Sequence, residues 1–80
     1  DDVGNYKAFD DLFKHDENGN VKVKTIVNCI DSNGNVIVSS NSCQKISLVG
    51  VSNMLLVFTN NNVLVCDKSK IQDIKKLFKK

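Results

Sequence analysis

The fold is decided by one stretch, residues 45–77, which reads KISLVGVSNMLLVFTNNNVLVCDKSKIQDIKKL. It contains three short apolar runs, Ile46–Gly50, Met54–Phe58 and Val63–Cys66, with polar residues between them. Runs of this length and spacing predict successive β-strands of one buried layer. The last run leads directly into a lysine-rich segment, so the predicted order here is three strands and then a helix.

The predicted terminal helix has its own start and end signals. Ser69 and Gln72 have the spacing of a capping box, in which the two side chains reciprocally bond backbone amides. Lysines crowd the C-terminal end, where positive charge complements the helix dipole. The apolar stripe of this helix comprises Ile71, Ile74, Leu77 and Phe78.

A first helix is predicted from about Asn5 to Lys14, with Asn5 as its N-cap. Asp10 and Asp11 are expected to face water. The apolar stripe that predicts this helix comprises Tyr6, Phe9, Leu12 and Phe13.

Two further strands are predicted in the middle of the chain. Val21–Thr25 alternates apolar and polar residues, as a half-buried strand does, and Ile26–Ile30 continues it. Asn33-Gly34 favours a tight type I′ turn, because both residues tolerate a positive φ. The sequence therefore predicts a hairpin in which Val36–Val38 is the returning strand.

A weak internal repeat offers a different interpretation of the same residues. Residues 16–23 and 31–38 share the pattern D-x-N-G-N-V-x-V. Repeated turn-plus-strand units are typical of the coils of a β-solenoid. Two copies also arise by convergent turn chemistry, so both explanations stay open. The predicted class is α+β, mostly β, with an N-terminal helix, a small β-helix-like or rolled sheet core, and a C-terminal amphipathic helix.

Composition narrows the function classes. The chain has 80 residues, is 41% hydrophobic and carries a formal net charge of +2, which fits a globular domain and gives no reason to expect nucleic acid as a partner. No apolar run approaches the roughly 20 residues that span a bilayer, so no membrane partner is expected.

The start is acidic and without an apolar leader, and Cys29, Cys43 and Cys66 share no CxxC spacing. A cytoplasmic location is therefore expected. The absence of an initiator Met predicts a piece of a longer protein.

The side chains supply no complete active site. His15 is the one histidine, and no cysteine–histidine cluster has zinc spacing. Asp16-x-Asn18 and Asp31-x-Asn33 resemble the start of a calcium loop but lack its later ligands, so they are predicted to be turns. Asp1 and Asp2 precede a glycine and a helix. Two carboxylates there could bind a divalent cation, but the residues alone favour a simple interaction with the helix dipole.

A resemblance adds what the residues alone do not. Residues 2–8, DVGNYKA, are similar to the D-[IV]-G-S-W-x-A segment of bacterial mannose-1-phosphate guanylyltransferases (GDP-mannose pyrophosphorylases). Residues 48–59 and 72–77 are similar to segments of the same family's tail, and Asp31-Ser32 with Asn35 fits its D-S-x-N stretch. The match covers nearly the whole chain in the family's order. Asn5 and Tyr6 stand where the family usually has Ser and Trp.

The resemblance implies a C-terminal fragment of an enzyme that makes GDP-mannose from GTP and mannose 1-phosphate with Mg²⁺. It implies that Asp2 helps to hold the metal and that Gly4 lets the backbone approach the substrate. It also implies a left-handed β-helix that packs on a nucleotide-binding domain outside this chain and on a partner subunit. Residues 1–15 would end the catalytic domain, and residues 16–80 would form the C-terminal domain.

The fragment alone is expected to be inactive, to hold no catalytic residues and to need no cofactor. It is expected to form homo-oligomers and to expose apolar surface that includes the Tyr6, Phe9 and Phe13 face. One alternative is a non-catalytic β-rich module for protein interaction or oligomerisation. Another is a related nucleotidyltransferase with a different base or sugar.

Overall fold

In a computed structural model, backbone is described for residues 2–40 and 44–78, and side chains from Tyr6 onward within those ranges. Within these ranges, six short strands lie between two helical segments. No helix in these ranges has the length and apolar character needed to cross a membrane. The elements in chain order are α1 (Asp2–Leu12), β1 (Val21–Val23), β2 (Ile26–Ile30), β3 (Val36–Ser39), β4 (Lys45–Val49), β5 (Met54–Phe58), β6 (Val63–Asp67) and a terminal 3₁₀ helix (Lys68–Phe78).

The strands form two sheets between which the chain alternates. One sheet has the order β1-β3-β5-β6 and the other pairs β2 with β4. β1, β3 and β5 are parallel, with Val21 opposite Val36 and Val36 opposite Leu55. The β2–β4 pair is parallel as well, with Ile30 opposite Val49. Strands that alternate between two sheets and stack in parallel make successive coils of a short β-helix.

β6 ends this stacking. The chain reverses between Thr59 and Asn62, where the Thr59 amide donates to the Asn62 carbonyl at 2.9 Å. β6 then pairs antiparallel with β5, placing Val63 opposite Phe58. It occupies the edge of the larger sheet that a further coil would use.

Apolar side chains form two clusters, one on each face of the larger sheet. Tyr6 and Phe9 of α1 and Ile71 of the terminal helix cover the outer cluster. The inner cluster lies between the two sheets and comprises Ile37, Ile46, Leu48 and Leu56. The buried members of the outer cluster are Val21, Val36, Leu55, Val57 and Ile74. The β-rich core between two helical segments confirms the predicted fold class.

Stacked asparagines link the coils at their corners. Asn20 and Asn35 are both buried, at 1% and 0% exposure. The backbone amide of Asn35 donates to Asn20 Oδ1 at 2.8 Å, and the backbone amide of Met54 donates to Asn35 Oδ1 at 2.9 Å. Each Nδ2 in turn donates to a backbone carbonyl, from Asn20 to Ser32 at 3.0 Å and from Asn35 to Val51 at 2.8 Å. The sequence repeat therefore marks equivalent corners of neighbouring coils.

The predicted hairpin at Asn33-Gly34 is wrong. β3 pairs with β1 and β5, and β2 lies in the other sheet. Gly34 does take a positive φ of 71°, as the turn chemistry requires, but it does so at a solenoid corner. The Gly34 amide donates to the Asn18 carbonyl of the preceding corner at 3.1 Å, so this turn stacks on another turn.

The first helix also differs from its prediction. It begins at Asp2, so Asn5 lies inside it and is no N-cap. Asp10 does not simply face water, because its Oδ2 lies 2.6 Å from Lys68 Nζ. Asp11 is exposed, as expected.

The terminal helix is capped by a different residue from the predicted one. Asp67 Oδ1 accepts the Ser69 amide at 2.8 Å and the Ser69 hydroxyl at 2.7 Å. Gln72 Nε2 donates to the Ser69 carbonyl, so the reciprocal capping box does not form. The hydroxyl and then the amide of Ser69 hold the pKa of Asp67 below its ordinary value of 3.8.

Half of the predicted apolar stripe of this helix is buried. Ile71 and Ile74 pack on the outer cluster, whereas Leu77 and Phe78 are 70% and 76% exposed. Leu77 and Phe78 instead line a cavity with Thr59, Asn62 and Val63, beyond the end of β5.

Candidate functional site

The predicted metal ligand lies in the first turn of α1. Asp2 begins the helix and Gly4 follows within it. The side chain of Asp2 and all of Asp1 fall outside the described residues, so the metal site stays a prediction. Within the described residues, no group of three or more His, Cys, Asp or Glu side chains is placed to hold a metal ion. A complete metal site would therefore need ligands from elsewhere.

α1 is held against the rest of the chain by the packing of Tyr6 and Phe9 on the outer cluster and by one ion pair. The rings of Tyr6 and Phe9 have centroids 6.0 Å apart, and those of Phe9 and Phe13 are 5.0 Å apart. Asp10 Oδ2 pairs with Lys68 at the start of the terminal helix. His15 Nε2 lies 2.6 Å from the Asp10 carbonyl oxygen and 3.6 Å from Asp10 Oδ1. The ring contacts and the His15 contacts are local, so the packing on the outer cluster and the pair with Lys68 are what position the helix that carries Asp2.

A cleft of about 420 Å³ separates α1 from the terminal helix. Its floor is apolar, and the charged side chains at its rim are Lys7, Asp10 and Lys68. The ion pair between Asp10 and Lys68 neutralises two of these three charges. The cleft is large enough for a small molecule. Among the described residues that line it, no nucleophile lies next to a base.

Asp16 is committed to a turn. Its Oδ1 accepts the amides of Asn18 at 2.9 Å and Asn20 at 3.0 Å, and its Oδ2 lies 3.1 Å from Lys22 Nζ. Burial raises the pKa of Asp16, but the Asn20 amide, Lys22 and the Asn18 amide together lower it below 3.8. Three donors of its own chain contact the carboxylate, which confirms the prediction of a turn at this position.

The described cysteines are packing residues. Cys29 and Cys66 are free and half-buried, and they pack on the inner and outer cluster respectively. Burial, and then the charges of Asp67 and Asp73, raise the pKa of the Cys66 thiol. Its Sγ donates to the Asp67 carbonyl oxygen at 3.2 Å. A raised pKa disfavours the reactive thiolate. Cys43 lies outside the described residues.

Sequence reasoning missed the contact between Asp10 and Lys68. The two residues are 58 positions apart (68 minus 10), and neither lies in a motif. The corner asparagines did have a sequence signal, which was the D-x-N-G-N-V-x-V repeat. Together, the apolar packing and the ion pair hold α1 against the sheet and the terminal helix.

Comparison with known proteins agrees with this architecture. The family described as "MannoseP isomerase/GMP-like beta-helix domain" matches residues 24–80. A mannose-1-phosphate guanylyltransferase of Salmonella muenchen is 38% identical over 76 residues, which is 95% of this chain and 15% of the relative. The mannose-1-phosphate guanylyltransferase of Escherichia coli K12 is 30% identical over 76 residues. The alginate biosynthesis protein AlgA of Pseudomonas putida is 27% identical over 78 residues.

A solved structure shares the fold. The crystal structure described as mannose-1-phosphate geranyltransferase from Thermus thermophilus superposes with a TM-score of 0.76 at 25% sequence identity. The alignment covers 98% of this chain and 23% of that one. The present chain spans about 15% of the length of the guanylyltransferases that it matches.

Proposed function

The chain belongs to the MannoseP isomerase/GMP-like β-helix domain family, and from this we propose that it is the C-terminal part of a mannose-1-phosphate guanylyltransferase. The match to the β-helix family over residues 24–80 carries the proposal. Relatives named mannose-1-phosphate guanylyltransferase align with 95% of the chain, which supports it. Most of such an enzyme would then lie outside these residues.

The proposed reaction joins GTP and mannose 1-phosphate. A phosphate oxygen of the sugar attacks the α-phosphorus of GTP, and the bond to the β-phosphate breaks, which gives GDP-mannose and pyrophosphate. The nucleotide-binding part that performs this step would come from the rest of the polypeptide. The choice of base and sugar would be made there, so a nucleotidyltransferase of another specificity is the nearest alternative.

The proposed contribution of this chain is structural support. The contacts of α1 with the outer cluster and with Lys68 fix its orientation, and Asp2 lies in its first turn. In the proposed enzyme Mg²⁺ would offset phosphate charge, with Asp2 as one ligand and Gly4 allowing close backbone approach. Because the described residues form no cation site of their own, the other ligands would come from the catalytic part and the substrates.

A two-stage experiment tests the assignment. First, the reading frame upstream of Asp1 is sequenced, and a nucleotide-binding half is expected there. The longer protein is then assayed for pyrophosphate release from GTP and mannose 1-phosphate. Asp2→Ala should lower kcat at least tenfold, whereas Asp11→Ala, the same change at an exposed carboxylate of the same helix, should not. The 80-residue chain alone should release no pyrophosphate.

Two results would overturn the proposal. One is an unrelated domain or a stop codon upstream, and the other is nucleotidyl transfer by the 80-residue chain itself. The second candidate function, a non-catalytic interaction module, is favoured by exposed apolar side chains such as Val63, Val65 and Phe78, which are 64%, 63% and 76% exposed. Under either candidate function, we propose that the protein is cytoplasmic and self-associates.

A further inference from the structure

Two corners of the β-helix contain the same dipeptide. Asn18-Gly19 and Asn33-Gly34 occupy the same position of the D-x-N-G-N-V-x-V repeat. Both asparagines are exposed, and both glycines take a positive φ, of 75° and 71°. We propose that Asn18 is a site of spontaneous deamidation in the folded protein, whereas the coils that stack on both sides of Asn33-Gly34 protect Asn33. The reaction needs only this chain and water, so it is independent of the enzymatic function proposed above.

Deamidation uses the side chain of an asparagine and the backbone of the residue after it. The amide nitrogen of Gly19, after losing its proton to solvent base, attacks Cγ of Asn18. An N–Cγ bond forms, the Cγ–Nδ2 bond breaks, and the nitrogen leaves as ammonia with a proton taken from water. Water then opens the five-membered succinimide at either carbonyl, which leaves aspartate or isoaspartate. Glycine permits this attack best, because it has no Cβ to obstruct its own amide nitrogen.

The peptide unit between Asn33 and Gly34 is held by the coils on both sides of it. Its amide donates to the Asn18 carbonyl of the first corner at 3.1 Å, and its carbonyl accepts the Asn53 amide of the third corner at 3.0 Å. The Asn33 amide donates to Ser52 Oγ at 3.2 Å. The Asn53 side chain also covers the glycine, since a Cβ built on Gly34 would lie 2.8 Å from Asn53 Oδ1. The Gly34 nitrogen can therefore turn towards Asn33 Cγ only when contacts with two coils open together.

The peptide unit between Asn18 and Gly19 contacts a neighbouring coil on one side only. Its carbonyl accepts the Gly34 amide, but its own amide donates to the Asp16 carbonyl of the same turn at 2.9 Å. The Asn18 amide likewise stays within the turn, on Asp16 Oδ1. Among the described residues no coil lies beneath this corner, because β1 is the edge strand of the larger sheet. Opening of a surface turn costs less than opening of stacked units, so the Gly19 nitrogen is released more often.

Deamidation at the first corner changes both its charge and its backbone. Either product places a new carboxylate next to Asp16, whose Oδ1 already accepts two backbone amides, and next to the exposed Glu17. In isoaspartate the main chain runs through Cγ, so the carbonyl that accepts the Gly34 amide leaves the backbone. We therefore expect the aged chain to unfold at a lower denaturant concentration than the fresh chain.

The test incubates the full 80-residue chain at mildly alkaline pH, once folded and once in guanidinium chloride. Cleavage after lysine then separates the two sites into peptides 15–22 and 25–45, and tandem mass spectrometry locates each conversion of amide to acid. Protection is the rate in the denatured chain divided by the rate in the folded chain, so effects of neighbouring sequence cancel. Protection of Asn33 should exceed that of Asn18 at least tenfold.

Two variants separate the effect of the coils from that of the dipeptide. Ser52→Ala, at an exposed serine, removes the bond from the Asn33 amide. It should speed deamidation of Asn33 severalfold and leave the rate at Asn18 unchanged, while circular dichroism shows that the fold is kept. Asn18→Gln should abolish the signal in peptide 15–22, because the longer side chain would have to close a six-membered ring.

Three results would overturn the proposal. They are equal protection of the two sites, greater protection of Asn18, and a Ser52→Ala variant in which Asn33 reacts at the wild-type rate. None of these results bears on the pyrophosphate assay of the longer protein.

Discussion

Asn35 shows how one buried amide holds two coils together. Its Oδ1 accepts the Met54 amide at 2.9 Å, and its Nδ2 donates to the Val51 carbonyl at 2.8 Å. Both backbone groups belong to the next coil and lie close to the core. An unpaired buried backbone group costs about 1–3 kcal/mol. The residue therefore stabilises the stack through hydrogen bonding that no apolar side chain can replace.

Replacing Asn35 by Ala should lower the free energy of unfolding by about 1–3 kcal/mol, because two partly buried backbone groups lose their partner. Urea denaturation followed by circular dichroism measures the change. Asn28→Ala is the matched control, since Asn28 is exposed on β2. Equal stability of the two variants would show that water replaces the amide at the corner.

Asp16 should make the free energy of unfolding depend on pH in the acidic range. Its folded pKa lies below 3.8 because donors of its own corner outweigh the effect of burial. A carboxyl group whose pKa is lowered by folding stabilises the folded state at pH values above its pKa in the unfolded chain. This contribution is lost as the pH falls through the pKa of the folded state. Asp16→Asn should therefore be less stable at pH 7 and lose less stability on acidification. Denaturation midpoints at pH 7 and about pH 2.5 test this, with Glu17→Gln as the control for removing one charge.

At the scale of elements, the pair between Asp10 and Lys68 joins the two helical segments. Both side chains are mostly shielded, with 29% and 22% exposure. Within the described residues Asp10 Oδ1 is also buried without a hydrogen-bond partner, with His15 Nε2 at 3.6 Å, so the carboxylate relies mainly on Lys68 for its compensation. Removing the lysine leaves a poorly solvated charge behind, which costs more than removing the pair.

Lys68→Met should therefore destabilise the fold by about 1–2 kcal/mol, and the double variant Lys68→Met/Asp10→Asn, which removes the whole pair, should cost less. Lys70→Met, at an exposed lysine in the same helix, should have almost no effect. Thermal denaturation at low and high salt measures all three. A Lys68→Met variant as stable as Lys70→Met would show that the ion pair contributes nothing.

The sequence predicted where most elements lie, but the one pairing that it predicted, the hairpin at Asn33-Gly34, is wrong. Apolar runs locate β4, β5 and β6 because burial selects apolar residues whichever strand is the neighbour. Turn residues do not reveal which strand the next strand pairs with, since a hairpin and a solenoid corner both need the positive φ that Gly34 supplies. The third corner does not match the repeat pattern of the first two, because Asn53 takes the positive φ, of 60°, at the position where they have glycine. Asp2 stays a prediction, since its metal partners would lie in other residues.

At the scale of the whole molecule, α1 belongs to the surface that closes the outer cluster. Tyr6 and Phe9 cover buried residues such as Val36 and Leu55, and their apolar contact is continuous with that of Ile71. The assignment of residues 1–15 to the preceding domain stays a prediction. In this chain the helix packs on β3 and on the terminal helix.

Removing residues 1–14 should therefore expose the outer cluster. We expect the shortened chain to bind the dye ANS and to unfold at least 10 °C lower than the full chain. A small domain has a small free energy of unfolding, and exposing one apolar face removes much of it. Tyr6→Ala/Phe9→Ala in the full chain is a milder version of the same change. A shortened chain that melts as the full chain does would place the helix with the preceding domain.

The register of the coils has a consequence for how this domain can change in length. Equivalent corner bonds span 15 residues in the first coil, from Asn20 to Asn35, and 19 in the second, from Asn35 to Met54. The strand pairs show that the four additional residues fall between β3 and β4. The neighbouring coils keep their alignment despite this difference. Insertions between Ser40 and Gln44 should thus be tolerated in evolution and in engineering, whereas a single residue added at a corner would turn every following side chain to the wrong face.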